Sequence, residues 1–274
     1  MPEPTPLPRP RLSVVIPVYN ERATIETLLH RVQATDVEKE IVVVDDGSRD
    51  GTQEWLAELA RTIEQTGGTR EVMLPTIHAP LRTHNLRVIL HERNLGKGAA
   101  VRTGFRASRG RVVIIQDADL EYDPKDYLTL MTPIEEGRAD VVFGSRFHGG
   151  PHRVMYFWHY VGNKVLTVCS NMLTNLNLTD MWAGFKAFRH EVIEELELTD
   201  NGFGVEVEMT AKLARSDWRI YEVPIAYYGR TYEEGKKITW RDGMRALGKL
   251  VRYNLLTPDP QPKRGLHAQT TAER

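Results

Sequence analysis

Two hydrophobic patterns alternate along most of this chain. Continuous apolar runs rich in Val and Ile, such as residues 12–18, are typical of strands buried on both faces of a sheet. Between these runs, apolar residues recur every three or four positions, which is typical of amphipathic helices. The pattern predicts strands at 12–18, 40–44, 86–91, 112–116, 141–144 and 220–224, and helices at 21–33, 52–63, 98–107, about 206–215 and about 240–256.

Strands that alternate with helices predict an α/β fold with a doubly wound, mostly parallel sheet flanked by helices. Residues 65–85, which contain two glycines and two prolines, read as a loop insertion. Residues 1–11 and 257–274 are rich in Pro, Thr, Gln and charge without periodicity, and we expect them to be disordered tails. One domain spanning 12–256 is therefore predicted.

Composition narrows the functional classes. The 274 residues carry a formal net charge of -1, which argues against bulk nucleic-acid binding. Cys169 is the only cysteine, so no internal disulfide is possible, and a reducing compartment is expected. The N-terminus lacks the apolar segment of a signal peptide, and no apolar run approaches the roughly 18 residues that span a bilayer. We expect a cytoplasmic protein without a transmembrane segment.

Three carboxylates follow the strand predicted at 112–116. Asp117, Asp119 and Glu121 occupy alternating positions, so they would point to one side if the extended backbone continued past the strand. Clustered carboxylates repel one another unless a cation lies among them, and oxygen ligands suit Mg²⁺ or Mn²⁺. The triplet predicts a metal site at a strand end, and a solvated acidic loop is the alternative.

The ends of the other early strands also carry polar residues. In a parallel sheet these ends share one edge, where open α/β sheets bind ligands. Tyr19 is suited to pack on a base, Glu21 and Asp46 to accept hydrogen bonds from a nucleoside, and Lys97 to meet phosphate at a helix N-terminus. A plain Asp-Gly-Ser turn and a solvent-facing lysine are the alternatives. No P-loop and no Gly-x-Gly-x-x-Gly motif is present, which disfavours a dehydrogenase.

Five segments occur together in a characteristic order: Val-Val-Ile-Pro-Val-Tyr-Asn-Glu (14–21), Val-Val-Asp-Asp-Gly-Ser-Arg-Asp-Gly-Thr (43–52), Asn-Leu-Gly-Lys-Gly-Ala-Ala (94–100), Asp-Ala-Asp-Leu (117–120) and Gly-Ser-Arg (144–146). Over residues 12–256 the chain resembles the family 2 inverting glycosyltransferases, and among them the polyprenyl- and dolichyl-phosphate hexose synthases. The resemblance implies a GT-A fold, with a nucleotide-binding half at about 12–121 and an acceptor-binding half at about 122–237.

The resemblance also implies roles for individual residues. Nucleoside-binding positions fall on Pro17, Tyr19, Glu21 and Asp46. The metal-binding Asp-x-Asp motif falls on Asp117, Ala118 and Asp119, and Glu121 stands where close relatives often have glutamine. The cofactor implied is Mg²⁺ or Mn²⁺, and the donor is a nucleotide-diphosphate sugar.

On the acceptor side, Arg146 matches a family arginine at the acceptor phosphate, with a structural ion pair as the alternative. Arg230 and Lys236 lie in segments that resemble a loop closing over the diphosphate, although Gly235-Lys236 departs from the Ser-Lys of mannose-using relatives. Further implied contacts of the acceptor phosphate are His159 and Asn163. Glu206 lies on a helix that relatives place near the donor, and an acidic helix surface is the alternative.

The last predicted helix, at 238–256, has a basic stripe beside an apolar one. The basic stripe comprises Arg241, Arg245, Lys249 and Arg252, and the apolar stripe comprises Trp240, Met244, Leu247 and Val251. Such a helix suits an anionic membrane surface, and packing of the apolar stripe on the domain is the alternative.

These observations predict a metal-dependent inverting glycosyltransferase that moves glucose or mannose from UDP-glucose or GDP-mannose to a polyprenyl or dolichyl phosphate. A lipid phosphate is already ionised, so no general base is required. Asp119, Arg146, Arg230 and Lys236 are the predicted catalytic residues. We expect peripheral association with the cytoplasmic face of a membrane, directly or through a membrane-protein partner. The alternatives are a soluble alcohol or glycan acceptor, or a non-catalytic nucleotide-sugar-binding protein.

Overall fold

The computed structural model describes residues 9–68, 71–73, 80–149, 151, 153–230 and 240–257, so most of both predicted tails lies outside it. The strands are β1 (Leu12–Val18), β2 (Lys39–Asp45), β3 (Glu71–Val72), β4 (Leu81–Arg82), β5 (Leu86–Leu90), β6 (Val112–Ile115), β7 (Val141–Ser145), β8 (Lys186–Arg189) and β9 (Ile220–Pro224). The helices are α1 (Ile25–Ala34), α2 (Thr52–Gln65), α3 (Lys97–Ala107), α4 (Tyr127–Glu135), α5 (Phe157–Thr174), α6 (His190–Glu195), α7 (Val205–Ala214) and α8 (Trp240–Val251). A π-helical turn, Arg252–Leu256, continues α8.

Seven of the described strands form one sheet in the order β5-β2-β1-β6-β8-β7-β9. The neighbours pair in parallel except at β8, which is antiparallel to both β6 and β7. The predicted mostly parallel α/β fold is confirmed. The short strand β8 was not predicted, and β3 and β4 form a small antiparallel pair inside the segment predicted as a loop insertion.

Helices cover both faces of the sheet, and successive strand residues point to opposite faces, so each strand contributes to two cores. In β1, Val14 and Ile16 join a core with α1 and α2, whereas Val15 joins a second core with α3 and α7. In β6, Ile114 and Ile115 divide in the same way. This explains why the strands read as continuous apolar runs rather than alternating ones.

The final helix packs on the domain. Ala246, Leu250 and Tyr253 are its buried contacts, and Leu250 and Tyr253 belong to the second core. Val251 of the predicted apolar stripe is exposed, and the side chains of Trp240, Arg241 and Met244 lie outside the described residues. The helix therefore docks through Leu247 of the predicted stripe, which is partly buried, and through the adjacent face that carries Ala246 and Leu250. Within the described ranges, no helix combines the length and apolar character needed to cross a membrane.

The carboxyl ends of β1, β2 and β6 meet at one edge of the sheet. Val18 at the end of β1 lies in register with Asp45 at the end of β2. The amide of Asp46 then donates to the Val18 carbonyl, and the amide of Gln116, after β6, donates to the Val15 carbonyl. These bonds hold the predicted site residues of three strands at the same edge.

Candidate active site

The acidic triplet lies in a turn and not in an extension of β6. Strand β6 ends at Ile115, and Leu120 adopts a left-handed backbone conformation with φ of 63°. The Asp119 carboxylate accepts the amide of Glu121 at 3.1 Å, which stabilises the turn. The extended backbone therefore does not continue past β6, because this turn redirects the chain immediately after the strand.

The carboxylates nevertheless lie close enough to affect one another. Burial raises the pKa of Asp119 to about 7, and the negative charges of Asp117 and Glu121 add to the rise. Arg230 opposes this effect. A cation bound beside this half-buried carboxylate would relieve the repulsion from its two negative neighbours.

Asp117 and Asp119 fit a divalent cation of the Mg²⁺ type, which is held by one or two carboxylates and completes its shell with water and phosphate oxygens. No three acidic, His or Cys side chains of the described residues are grouped closely enough to hold a metal by themselves. Glu121 instead accepts the hydroxyl of Tyr227 at 2.9 Å and the amide of Arg230 at 2.8 Å. Its role as a third ligand stays a prediction.

Arg230 contacts residues of two predicted sites, the nucleoside site and the metal site. Its two terminal nitrogens donate to the Glu21 carboxylate at 3.0 and 3.1 Å, and Nη2 lies 3.4 Å from Oδ2 of Asp119. Although burial opposes protonation, the hydrogen-bonded Glu21 and the charge of Asp119 raise the pKa of Arg230. The structure thus brings Glu21, Asp119 and Arg230 together at this edge of the sheet, and their predicted roles stay predictions.

These three residues line a cleft of about 440 Å³. The cleft is also lined by Asn20, Arg153 and Tyr228. Tyr19 lies just past the end of β1 with its side chain exposed, and Pro17 lies within β1 opposite Val44. A partly open cleft at a strand edge, with cationic and anionic walls, can hold a polar ligand.

Asp46 shapes the loop that leads into α3. One of its carboxylate oxygens accepts the amide of Leu95 and contacts His91 Nδ1, both at 2.9 Å. The other accepts the amide of Gly96 at 2.7 Å. The structure therefore gives Asp46 a positioning role, and its predicted contact with the nucleoside stays a prediction.

Lys97 lies under the acidic turn and not in solvent. Its ammonium group is 2.8 Å from Asp117 and 3.3 Å from Glu206 on α7. Glu206 also pairs with Lys186 of β8, a side chain with no exposed surface. Burial alone would raise the pKa of Glu206, but Lys186 and Lys97 lower it. Glu206 is thus a buried member of a charge cluster, which excludes the alternative of an acidic helix surface, and its predicted place near the donor stays a prediction.

Gly184 lets the side chains of Asp117 and Lys97 pack directly against the backbone before β8. A Cβ at this position would lie 2.3 Å from Asp117 Oδ2 and 3.0 Å from Lys97 Nζ. The amide of Gly184 donates to the Tyr122 hydroxyl at 3.1 Å, and the Tyr122 ring stacks on Phe185. The segment Gly184-Phe185-Lys186 therefore packs directly against Asp117, which is possible because Gly184 has no side chain.

Comparison with known proteins defines the class of this site. Residues 13–197 match the family described as glycosyl transferase family 2. The chain belongs to this family.

Three curated relatives match most of this glycosyltransferase. It is 31% identical over 236 residues to the undecaprenyl-phosphate mannosyltransferase of Micrococcus luteus, with coverage of 82% of this chain and 87% of the relative. It is 31% identical over 231 residues to the polyprenol monophosphomannose synthase of Mycolicibacterium smegmatis, with coverage of 81% and 79%. The dolichol-phosphate mannosyltransferase of Pyrococcus furiosus is also 31% identical, with coverage of 82% and 59%.

Among solved structures, the fold resembles that of glucosyl-3-phosphoglycerate synthase from Mycobacterium tuberculosis in complex with Mn²⁺, UDP and glucosyl-3-phosphoglycerate. The TM-score is 0.63 at 20% identity, and the match covers 91% of this chain and 81% of that one. The predicted GT-A fold and the prediction of a glycosyltransferase are both confirmed.

On the acceptor side of this glycosyltransferase, Arg146 makes a buried ion pair. Its guanidinium donates to Asp180 through Nε at 2.6 Å and Nη2 at 2.8 Å, and it lies 5.0 Å from the Tyr227 ring centroid. The structural ion pair considered as an alternative is thus the contact observed. The predicted contact with the acceptor phosphate stays a prediction. Asp180 carried no recognisable sequence signal, because its partner lies 34 positions away.

The remaining acceptor residues lie apart from the acidic turn in the chain. His159 and Asn163 are both on α5, where the His159 ring is 5.9 Å from that of Tyr156 and Asn163 accepts Thr167 Oγ1 at 3.4 Å. Lys236 lies outside the described residues. Arg153, which sequence reasoning missed, lines the cleft and donates to the Gly229 carbonyl at 3.2 Å.

Proposed function

We propose that this enzyme transfers mannose from GDP-mannose to a polyprenyl phosphate, with inversion at the anomeric carbon. The convergence of Glu21, Asp119 and Arg230 at one cleft carries the proposal, because it places carboxylates for a cation beside a guanidinium for phosphate. The three curated relatives, all described as acting on undecaprenyl, polyprenol or dolichol phosphate with mannose, support this acceptor and sugar.

Asp117 and Asp119 would hold one Mg²⁺ or Mn²⁺. The Mn²⁺ in the related solved structure supports a divalent ion. When bound, such an ion neutralises the charge that develops on the departing diphosphate. Lys97 fixes Asp117 in position from below, and its charge offsets part of the local negative potential.

Arg230 would exchange its carboxylate partners for phosphate oxygens when the donor binds. Guanidinium groups bind carboxylate and phosphate through the same pair of parallel hydrogen bonds, so the exchange preserves the geometry. Together with Arg153 it gives the cleft a positive wall for two phosphate groups, one from the donor and one from the lipid. A lipid phosphate is already ionised and attacks without a general base.

Because the proposed acceptor is a lipid, the reaction would take place at a membrane surface, and we propose that the enzyme associates peripherally with the cytoplasmic face. The donor is water-soluble and the acceptor is not, so the cleft must open toward both phases.

The test is transfer of radiolabelled mannose from GDP-mannose to a polyprenyl phosphate in detergent, with Mg²⁺ or Mn²⁺ and with EDTA. Parallel reactions use UDP-glucose as donor and 3-phosphoglycerate as a soluble acceptor. An organic-extractable product that depends on GDP-mannose and the metal is expected. Product only from UDP-glucose would overturn the sugar assignment, and product only with 3-phosphoglycerate would overturn the acceptor assignment.

A further inference from the structure

Helix α5 has an inverted burial pattern. In most helices on a domain surface the apolar residues face the core. In α5 the fully buried side chains are the polar Thr167 and Ser170. Phe157 and Trp158, in contrast, are 65% and 78% exposed. Leu166 and Cys169 pack partly buried against the second core, but the larger apolar and aromatic side chains of this helix face away from the domain.

The exposed side chains form a patch that we call the α5 surface. Its members are large apolar or aromatic residues in and just before α5: Val154, Tyr156, Phe157, Trp158, Val165, Val168 and Met172. A soluble protein rarely leaves so many large apolar side chains exposed along one element, and such patches mark interaction sites.

The charge around this surface indicates the kind of partner. Residues 141–179 contain no Asp or Glu, although the chain has 37 of them in total. The same segment carries Arg153 and Lys164. Helix α8 packs against α5, and Arg245 and Arg252 on this neighbouring helical segment are exposed. An apolar surface that excludes acidic residues and is flanked by basic ones is complementary to an anionic lipid surface.

Two further features favour a bilayer. Trp and Tyr concentrate at membrane interfaces because one end of each ring is apolar and the other polar, and Tyr156, Trp158 and Tyr160 begin this helix. The π-helical turn that continues α8, the helix that packs against α5, also has two exposed apolar residues, Leu255 and Leu256. An interfacial helix that lies in the membrane plane needs such a face without the length of a spanning helix.

The α5 surface is linked by the chain to the active-site cleft. Arg153, which lines the cleft, directly precedes Val154 of the surface. Its amide donates to the Tyr227 carbonyl at 2.9 Å, which ties the start of this segment to the strand-edge site. Binding through α5 would therefore hold the cleft near the headgroups.

We infer that the α5 surface is the membrane-binding face of this protein and takes an anionic bilayer as its partner. This assignment differs from the sequence-based expectation, which placed membrane binding on α8. Its purpose, access to a lipid phosphate, rests on the proposed function, but the binding itself is measurable without donor or acceptor.

The experiment is sedimentation of the full chain with sucrose-loaded vesicles of phosphatidylcholine, with and without phosphatidylglycerol. The test variant is Phe157→Glu/Trp158→Glu, and the matched control is Leu128→Glu. Leu128 is an exposed apolar residue on α4, whose buried residues belong to the core on the opposite sheet face. Because both target rings are exposed, the double variant is expected to fold, which circular dichroism and thermal unfolding verify.

We expect wild type and Leu128→Glu to bind the anionic vesicles. The double variant should bind at least about tenfold more weakly, since two rings that would insert into the bilayer are replaced by two charges facing anionic lipid. Equal binding by all three proteins would overturn the assignment. So would a lack of wild-type binding, including the case in which size-exclusion chromatography shows a dimer that the double variant dissociates, because the partner would then be a second copy.

Transfer to a short-chain, water-soluble isoprenyl phosphate separates this inference from the proposed function. Loss of vesicle binding with retained transfer to the short acceptor supports the α5 surface as a membrane-binding face. Vesicle binding by a wild-type protein that transfers to no isoprenyl phosphate would overturn the proposed function and leave the membrane-binding face standing. Transfer to the short acceptor by a wild-type protein that does not bind vesicles would support the proposed function and overturn the membrane-binding face.

Discussion

Arg230 and Glu21 form a paired hydrogen bond across 209 positions of sequence, with both terminal guanidinium nitrogens on one carboxylate. The pair connects the turn after β1 with the segment that follows β9. It joins Glu21, which is predicted to bind the nucleoside, with Arg230, which is predicted to bind the diphosphate. Arginine at such a position cannot be replaced by lysine without loss of the two-pronged geometry.

Replacing Arg230 by lysine tests this geometry. Arg230→Lys keeps the charge but offers no planar pair of donors, so we expect kcat/KM for GDP-mannose to fall by about tenfold or more. Steady-state kinetics with varied donor measure the change. Arg138→Lys, an exposed arginine distant in sequence, serves as the control. Equal kinetic constants for Arg230→Lys and wild type would contradict a role at the diphosphate.

Asp119 is expected to be required for sugar transfer and, at the same time, to lower the free energy of unfolding of the metal-free protein. Asp119→Asn removes a proposed metal ligand, so sugar transfer should fall below detection even with saturating Mg²⁺ or Mn²⁺. The same change removes a half-buried charge that Asp117 and Glu121 repel, so in EDTA at neutral pH the free energy of unfolding should rise by about 1–3 kcal/mol. Urea denaturation checks the second effect, with Asp217→Asn, an exposed aspartate between α7 and β9, as the control. A loss of stability in Asp119→Asn would show that repulsion within the turn is not the dominant interaction.

Gly184 is expected to affect turnover through Asp117. In Gly184→Ala the new Cβ would displace the Asp117 carboxylate, and a small misplacement of this kind lowers kcat by about tenfold to a hundredfold. The control is Gly248→Ala on α8, where no atom lies within 4 Å of an added Cβ. Transfer assays under metal saturation compare the two variants. Wild-type turnover in Gly184→Ala would mean that Asp117 does not need its present position.

The buried cluster of Glu206, Lys97 and Lys186 yields a prediction for a pair of variants. Glu206→Gln leaves the fully buried Lys186 without its carboxylate and should cost about 3–5 kcal/mol of unfolding free energy. In Lys186→Met/Glu206→Gln, an apolar side chain replaces the buried ammonium beside Phe143, so a large part of the loss should be recovered. Urea denaturation of Glu206→Gln, Lys186→Met and the double variant measures the coupling. Additive losses would exclude a direct interaction between the two residues.

The pH dependence of stability should include a contribution from Asp140, which lies far from the cleft in the sequence. Burial opposes ionisation of this carboxylate, but hydrogen bonds and charge from Arg219 and the charge of Arg189 keep its pKa lowered. A lowered pKa means that the stabilisation is present at neutral pH and is lost as the pH falls below the ordinary carboxyl value of about 4. Asp140→Asn should therefore cost about 1–3 kcal/mol at pH 7, a moderate value because Arg219 is partly exposed.

The cost of Asp140→Asn should shrink as the pH is lowered toward 3, where the wild-type carboxylate also loses its charge. Unfolding curves at several pH values for wild type and variant measure this difference. A difference that stays constant from pH 7 to pH 3 would argue against the ion pair as its source.

The sequence predicted the parts of the fold that depend on local pattern. Strands β1, β2 and β6 were predictable because burial on both faces requires continuous apolar runs, and Glu21, Asp119 and Arg230 were recognisable from motifs. Strand β8 was not, because its four residues include Lys186 and Arg189, whose charges are neutralised by partners distant in sequence. Helix α5 was not predicted either, because apolar residues occur on both its core-facing and its exposed sides and leave no single apolar stripe to recognise.

The position of β8 between β6 and β7 also affects the order in which the enzyme can be assembled during synthesis. Strand β6 carries the acidic turn, and one of its edges stays open until β8 has been made, since the chain emerges from its N-terminus. Glu206 and Arg230, which anchor Lys97 and Glu21, are made later still. The donor-binding edge is therefore among the last parts of the sheet to reach its final form, although most of its residues are among the first to be translated.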